Sequence, residues 1–420
     1  MRSLVLPLVC GVIALAQTTP QAKTYVPSDE LNAQLPKWLR FNGEYRARVE
    51  GFGGGNFRKE NDDFYFLNRF RLNMSIAPAS WLRFQFQGQD ARVFGKNQKP
   101  AAPPFQDTMD LRMAFVEIGE PEKKTFGMRV GRQELVFGEQ RLVGHVSWLN
   151  TARTFDVIRA SFRLGGYRLD AFAASVVNIR DGEFNRHVDG NNFHGLYGGI
   201  DKLIPNATVE PYAFWRLGRG IDFKTWGVRL AGKLPANFDY GTEMAKQTGS
   251  TDAWAGHWRM GYTLPAFTWK PRVIAEYNYA TGDKNPTDGK LQTFDILYPT
   301  PHDKYGLADQ VGWRNIHHIR LGPEFRLSKR VNANANYHTW WLASATDALY
   351  NAGGTPLFRS ADGSAGRHVG QEIDGQVMFA MNKQVSLAGG FAHIIPGRFL
   401  KKVSQGASYN FPYVMLGYTF

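Results

Sequence analysis

Between Leu39 and Glu50 the residues alternate with period two. Leu39, Phe41, Gly43, Tyr45, Ala47 and Val49 fall on one face, and Arg40, Asn42, Glu44, Arg46, Arg48 and Glu50 on the other. Period two is strand geometry, because successive side chains of a strand point to opposite faces. Charges of both signs on the second face would each cost on the order of several kcal/mol in a dry core, so that face must meet water. Residues 64–76 repeat the pattern: Phe64, Phe66, Phe70, Leu72, Met74 and Ile76 oppose Tyr65, Leu67, Arg69, Arg71, Asn73 and Ser75. Further on, Leu111 and Met113 oppose Asp110 and Arg112, and Ile319, Leu321 and Phe325 oppose Arg320 and Glu324. About 18 such runs of about ten residues, joined by tight turns and longer polar loops in alternation, predict an all-β fold, a single antiparallel transmembrane β-barrel.

Residues 1–22 carry Arg2, an apolar run from Leu4 to Leu15 and small residues at Ala14, Ala16 and Ala22, the layout of a cleaved signal peptide. Residues 23–420 then form the barrel as one domain. Cys10, the only cysteine, leaves with the signal, so no disulfide or thiol chemistry is expected. No later run approaches the ~20 apolar residues of a spanning helix. The 44 glycines and 14% aromatic content suit many strands and turns. The formal charge of +13 becomes +12 when Arg2 is removed, a balance that suits anionic partners or an anion-attracting lumen. Nucleic acid is not expected outside the cytoplasm. The chain steps back from Phe420 through Tyr418, Leu416 and Val414 at period two, a last strand of the kind read by the barrel-assembly machinery.

Charge is densest from Gly131 to Arg159, where two strand-like runs flank a loop crowded with arginines, acids and amides. By parity the cations facing the lumen are Arg46, Arg48, Arg69, Arg71, Arg112, Arg129, Arg159, Arg163, Arg229, Arg272 and Arg320. Their acidic partners are Glu44, Asp156, Glu276, Glu324, Glu372 and Asp374. Arg129, Arg153, Asp156 and Arg159 are expected to form the constriction with Arg69, Arg71 and Arg112. The alternative for any one arginine is an ion pair that only braces the wall. Arginine suits an anion path because its planar fork pairs with carboxylates and keeps its proton. His317 and His318 are adjacent, so they face opposite ways and cannot chelate one metal. His187 and His194 with Asp181 and Asp189 are read as a solvated loop rather than a cation site. Trp148, Trp313, Trp340 and Trp341 are read as interface-belt residues before sugar-stacking platforms. No Ser/His/acid order, cysteine site or phosphate loop is present, so no enzyme activity, cofactor or metal is expected.

Longer motifs add a resemblance. Gly131-Arg132-Gln133-Glu134-Leu135, Arg141-Leu142-Val143-Gly144, Trp148, Asn150, Arg153 and Phe155-Asp156 form the first. Pro271-Arg272, Glu276-Tyr277, Thr281-Gly282-Asp283, Thr293-Phe294-Asp295, Tyr298-Pro299, His302, Tyr305-Gly306-Leu307, Asp309 and Trp313-Arg314-Asn315 form the second. Gly370-Gln371-Glu372-Ile373-Asp374 and His393 with Pro396-Gly397-Arg398-Phe399-Leu400 complete the set. Together they resemble the alginate export family of outer-membrane barrels. The resemblance implies an eighteen-stranded monomeric barrel in the outer membrane of a Gram-negative bacterium, in contact with its lipid. It implies diffusion of an anionic, alginate-like polysaccharide through an electropositive constriction, with periplasmic secretion partners compatible. The competing readings are a porin for small anionic sugars or carboxylates, an outer-membrane hydrolase using His257 or His393, and a soluble all-β binding protein.

Overall fold

The computed structural model describes residues 26–98, 101–122, 125–285 and 287–420. The expected signal peptide lies outside the described residues. A short helix, α1 (Pro27–Gln34), precedes the strands β1 (Leu39–Phe52), β2 (Asp63–Ala79), β3 (Leu82–Phe94), β4 (Asp107–Gly119), β5 (Phe126–Gln133), β6 (Phe155–Leu164), β7 (Tyr167–Asn178), β8 (Arg186–Ile200), β9 (Ala207–Gly218) and β10 (Ile221–Lys233). They continue with β11 (Phe238–Gly249), β12 (Ala253–Thr263), β13 (Arg272–Ala280), β14 (Ile316–Arg326), β15 (Val331–Leu342), a small hairpin of β16 (Leu349–Tyr350) and β17 (Pro356–Phe358), then β18 (His368–Ala380), β19 (Val385–Pro396) and β20 (Tyr409–Thr419). A second short helix, α2 (Arg398–Val403), links β19 to β20.

Apart from the β16–β17 hairpin, every strand pairs antiparallel with its neighbours in one 18-stranded sheet, and β1 pairs with both β2 and β20. The sheet therefore closes on itself, and no strand edge is left to face lipid with unpaired backbone groups. The longest connections, 134–154, 281–315 and 343–367, all leave the same end of the sheet, which in a barrel of this kind is the extracellular one. Among the described residues no helix is long and apolar enough to cross a membrane, so the strands span it.

The outward parity carries Phe64, Trp81, Phe126, Ile158, Leu196, Trp226, Ile373 and Val414, all exposed. In water such a surface would be a liability, whereas against hydrocarbon it is the solvated face. The inward parity carries the charge: Arg46, Arg48, Arg69 and Arg71 are buried despite their guanidinium groups.

The chain ends seal the barrel. Gly43 and Phe420 exchange two backbone hydrogen bonds of 2.7 and 3.0 Å, and the Phe420 ring stacks on Phe70 at 6.0 Å. A Cβ on Gly43 would lie 2.4 Å from Phe420 Cζ and 2.6 Å from the Arg71 carbonyl oxygen. Gly43→Val is therefore expected to prevent closure in most molecules. The check is unheated gel electrophoresis, in which the compact, fast-migrating band should largely disappear; an undiminished band would show that the seam tolerates a side chain.

One loop expectation is corrected, because His187, Asp189 and His194, read as parts of a solvated loop, lie in β8, which begins at Arg186. The stretch from Gly131 to Arg159 is two strand ends around a loop, in keeping with its two strand-like runs. β5 ends at Gln133, β6 starts at Phe155, and residues 134–154 form one long loop that folds into the barrel.

Candidate functional site: a lumen crossed by two loops

An eighteen-stranded barrel is wide enough to hold a water-filled channel, and here the extracellular half is largely filled. Loop 134–154 and loop 281–315 both turn inward and join. Val143 and Tyr298 form a parallel bridge, flanked by Gly144 N–H to Tyr298 O and Tyr298 N–H to Leu142 O, each 2.8 Å, and Thr300 N–H to Gln140 O at 2.9 Å. Their apolar side chains dock on an aromatic inner wall. Phe137 stacks on Tyr197 at 4.7 Å, and Tyr298 packs edge-on to Phe193 at 5.0 Å. Toward the extracellular end of β6 to β9 the inward face is aromatic, with Phe155, Phe172, Phe193 and Phe214 all buried. That supplies the dry surface on which loops can settle.

Against the first wall the loop meets arginines. Arg46 donates to the carbonyls of Ser147 at 2.7 Å and Leu149 at 3.1 Å. Arg69 reaches the same two carbonyls and pairs with Glu44 at 2.7 Å. Arg48 donates to the Trp148 carbonyl at 2.6 Å, pairs with Glu50 at 2.8 Å and lies 3.8 Å over the Trp148 ring. The other face of that indole stacks on His302 at 3.8 Å, so one tryptophan ties both loops to β1. Arg71 shares Glu44 at 3.1 Å, and Arg112 pairs with Glu134. Burial opposes ionisation of Glu134, but Arg112 beside it holds its carboxyl below the usual range. Three carboxylates thus serve five guanidinium groups, and backbone carbonyls of the inward loop take up further donors of Arg46, Arg48 and Arg69.

The opposite wall is more nearly balanced. Arg141, from the first loop, is buried and pairs with Glu276 of β13 at 3.0 Å. Glu139 sits 3.1 Å from both Arg229 and Arg259. Burial works against its charge, yet Arg141, Arg259 and Arg229 hold its carboxyl down to about 2. Arg320 lies 3.7 Å from Glu276 and donates to Asn336 at 2.9 Å, while Arg272 joins Asp239 at 2.6 Å to Glu324 at 2.5 Å. Glu372 receives the Ala308 N–H of the second loop at 3.3 Å. Asp374 pairs with His338 at 2.9 Å, and His338 shares a 2.9 Å hydrogen bond with His318.

A third group climbs β5 and β6. Arg129 pairs with Glu117 at 2.6 Å, Arg159 with Asp170 at 2.9 Å and Arg163 with Glu122 at 3.0 Å. They line a cavity of about 340 Å³ beside Phe137 and Gly138. A second cavity, of about 450 Å³, lies between Trp148, Arg153, His302 and the β1–β2 wall.

The expected constriction is therefore not one ring. Arg69, Arg71 and Arg112 stand together on the first wall, and Arg129 and Arg159 form a separate ladder. Arg153 is on the loop rather than a strand, and its guanidinium donates to the carbonyls of Gly144 at 3.1 Å and Pro299 at 2.9 Å. Asp156 is on the outward parity next to exposed Ile158, paired with Arg132 at 2.8 Å near the rim. Asp156 and Arg159 are three positions apart on β6, so they fall on opposite faces of one strand. Trp148, Trp313 and Trp340 are inside the barrel, not in the interface belt: Trp313 and Trp340 donate to the carbonyls of Tyr279 at 3.0 Å and Tyr305 at 2.9 Å. Trp341 alone of the four faces outward.

His318 is fully buried inward while His317 stacks outward near Tyr277 and Tyr279, as adjacency requires. His187 contacts Asp156 at 2.9 Å and Asp189 at 3.4 Å, and Asp181 instead binds Gln106 and Thr108. Among the described residues no cluster of three His, Cys, Asp or Glu could hold a metal ion. Sequence reasoning did not assign Glu139, Asn278, His338 or Lys304 to the lumen. Glu139 had a local signal in its place inside the charged stretch, and Asn278 had one in its parity, two positions from Glu276 on β13.

Across residues 37–413 the chain matches the alginate export family. The chain belongs to the alginate export family. No curated protein sequence is significantly similar to it. Its fold is similar to that of OccK8 (OprE) from Pseudomonas aeruginosa, 12% identical with a TM-score of 0.62 over 91% of this chain and 98% of that one. It is also similar to the outer membrane protein OpdK of Pseudomonas aeruginosa, 9% identical with a TM-score of 0.62 over 90% and 98%. OccAB2 of Acinetobacter baumannii matches at 10% identity and a TM-score of 0.62, again over 90% and 98%. This member of the alginate export family is thus an outer-membrane channel of a Gram-negative bacterium, built as a closed barrel.

Proposed function

We propose that the channel passes small carboxylate-bearing solutes such as uronates or their short oligomers. The observation that carries this reading is the junction of loops 134–154 and 281–315 at Val143 and Tyr298. It leaves arginine-lined cavities of about 340 and 450 Å³, dimensions that suit a small ligand rather than a threaded polymer. An anion entering a narrow passage loses water, and guanidinium groups replace that solvation. The neighbouring carboxylates keep each well shallow, so the solute moves on. Family membership favours a second reading, passage of an anionic polysaccharide, which requires the joined loops to swing out as a unit. The hydrolase alternative draws no support from His257 or His393, which bond to Asn278 at 2.8 Å and Asn410 at 2.7 Å rather than to a nucleophile.

Planar-bilayer recordings in a salt gradient test the proposal. Anion selectivity is expected, and changing both Arg129 and Arg159 to glutamate should weaken it by several-fold or more; a cation-selective native protein would rule the reading out. Liposome flux then separates the cargo classes. Uronate monomers should cross much faster per residue than long oligomers, and the reverse order would favour the polysaccharide.

A further inference from the structure

The tip of the second inward loop, residues 301–305, carries a cation that the lumen arginines do not resemble. Its neighbours are pinned. His302 stacks on Trp148 and bonds Asp309 at 2.7 Å. Asp303 accepts from Gln376 of β18 at 3.3 Å. Tyr305 receives Arg141 on its hydroxyl at 3.3 Å and Trp340 on its carbonyl at 2.9 Å. The backbone N–H of Lys304 is held by Pro301 O at 3.1 Å, yet among the described residues its ammonium has neither a hydrogen bond nor a carboxylate within ion-pair distance. Every cation around it is engaged. Arg141 and Arg320 are on Glu276, Arg229 and Arg259 on Glu139, and Arg153 on two carbonyls.

We propose that Lys304 is a specificity-determining residue of this channel, the free ammonium that a passing carboxylate meets at the tip of the inward loop. The proposal rests on the reading of the protein as an anion channel. An arginine already paired with a protein carboxylate offers a passing anion less attraction than a free cation does, since the carboxylate offsets part of its field. An unpaired ammonium held in place by its pinned neighbours presents its full charge without first having to break a pair. A lysine also differs from arginine in that it can lose its proton when partly buried. Burial first, and Arg141 after it, hold the Lys304 ammonium below the ordinary lysine range, against Asp303, Glu139 and Glu276. Of the groups facing it, Arg141 keeps its charge, Asp303, Glu139 and Glu276 are acids, and burial pushes the Tyr305 hydroxyl upward. Lys304 is therefore the member of this group that titrates first as the pH rises from neutral.

The test is the anion-to-cation permeability ratio of the full-length protein in planar bilayers with a potassium chloride gradient, at about pH 7 and about pH 10. The native ratio should fall about tenfold with rising pH. Lys304→Met should be low at both, and Lys304→Arg should stay high at both, because arginine keeps its charge while all other lysines are unchanged. A Lys304→Met channel with the native ratio at neutral pH would overturn the proposal, as would a Lys304→Arg channel whose ratio falls with pH as the native one does. Should Lys304→Met not assemble, the native and Lys304→Arg profiles decide alone. Cation selectivity of the native protein at neutral pH would instead overturn the anion-channel reading itself.

Discussion

Replacing Asn150 with leucine is expected to raise the single-channel conductance several-fold. Asn150 is 1% exposed, and its amide nitrogen donates to the carbonyls of Asn68 at 2.9 Å, Arg92 at 3.1 Å and Phe105 at 2.9 Å. Its carbonyl accepts from Arg46 at 3.3 Å. One side chain therefore clips loop 134–154 to β2, to β3 and to the loop carrying Phe105. Leucine has the same branched outline with somewhat larger end groups, so the change removes hydrogen bonds without opening a cavity. Each buried polar group left unpaired costs about 1–3 kcal/mol, which the loop avoids by leaving the wall and letting water reach the carbonyls. Asn150→Asp should behave likewise, because a carboxylate cannot donate. An unchanged conductance in both variants would remove Asn150 as the anchor.

The second large effect concerns stability. Arg141→Met strands Glu276, whose side chain is 1% exposed, and breaking one side of a buried pair costs about 3–5 kcal/mol. The lower end applies here, since Glu276 keeps a hydrogen bond from Asn278 at 2.8 Å and Arg320 at 3.7 Å. Changing Glu276 to methionine as well should recover most of the loss, because an apolar pair of similar size is close to neutral in such a place. The measure is the temperature at which the compact band converts to the unfolded one on gels. A double variant no more stable than Arg141→Met would contradict the pair as the source. Strongly coupled sites of this kind are also expected to be non-additive with Asn150→Leu, since both act on the same loop.

The barrel was legible from the chain because its cause is local. Period two along Leu39–Glu50 or Phe64–Ile76 is a property of consecutive residues, and a closed antiparallel sheet is the arrangement that satisfies one greasy and one charged face in lipid. The same rule placed Arg46, Arg48, Arg69, Arg71, Arg112, Arg129, Arg159, Arg163, Arg272, Glu276, Arg320, Glu372 and Asp374 on the inner face. Asp156 is the exception, since it is three positions from Arg159 on β6 and so on the other face, and Arg153 sits on a loop, where parity does not apply. Near the extracellular end β6 to β9 are apolar on both faces, with Phe172 and Phe193 inward against Ile158 and Leu196 outward, while Arg159, Asp170 and Glu210 make the inner face polar further down. A strand with two greasy faces in a barrel of this width must be covered on the inside, and only an inward loop can cover it.

What each arginine does was decided by the tertiary structure alone. Arg46 and Ser147 are 101 positions apart, and Asn150 and Arg92 are 58 apart. No periodicity connects residues so distant, and a charged loop reads the same whether it waves in solvent or seats itself in the lumen. The chain by itself determined a barrel with a cationic interior, because alternation and charge act residue by residue. Folding decided which cations are used up in holding the loops and left Lys304 without a partner among the described residues. That outcome depends on which groups the closed sheet brings within about 3 Å of one another, and closure is a property of the whole chain.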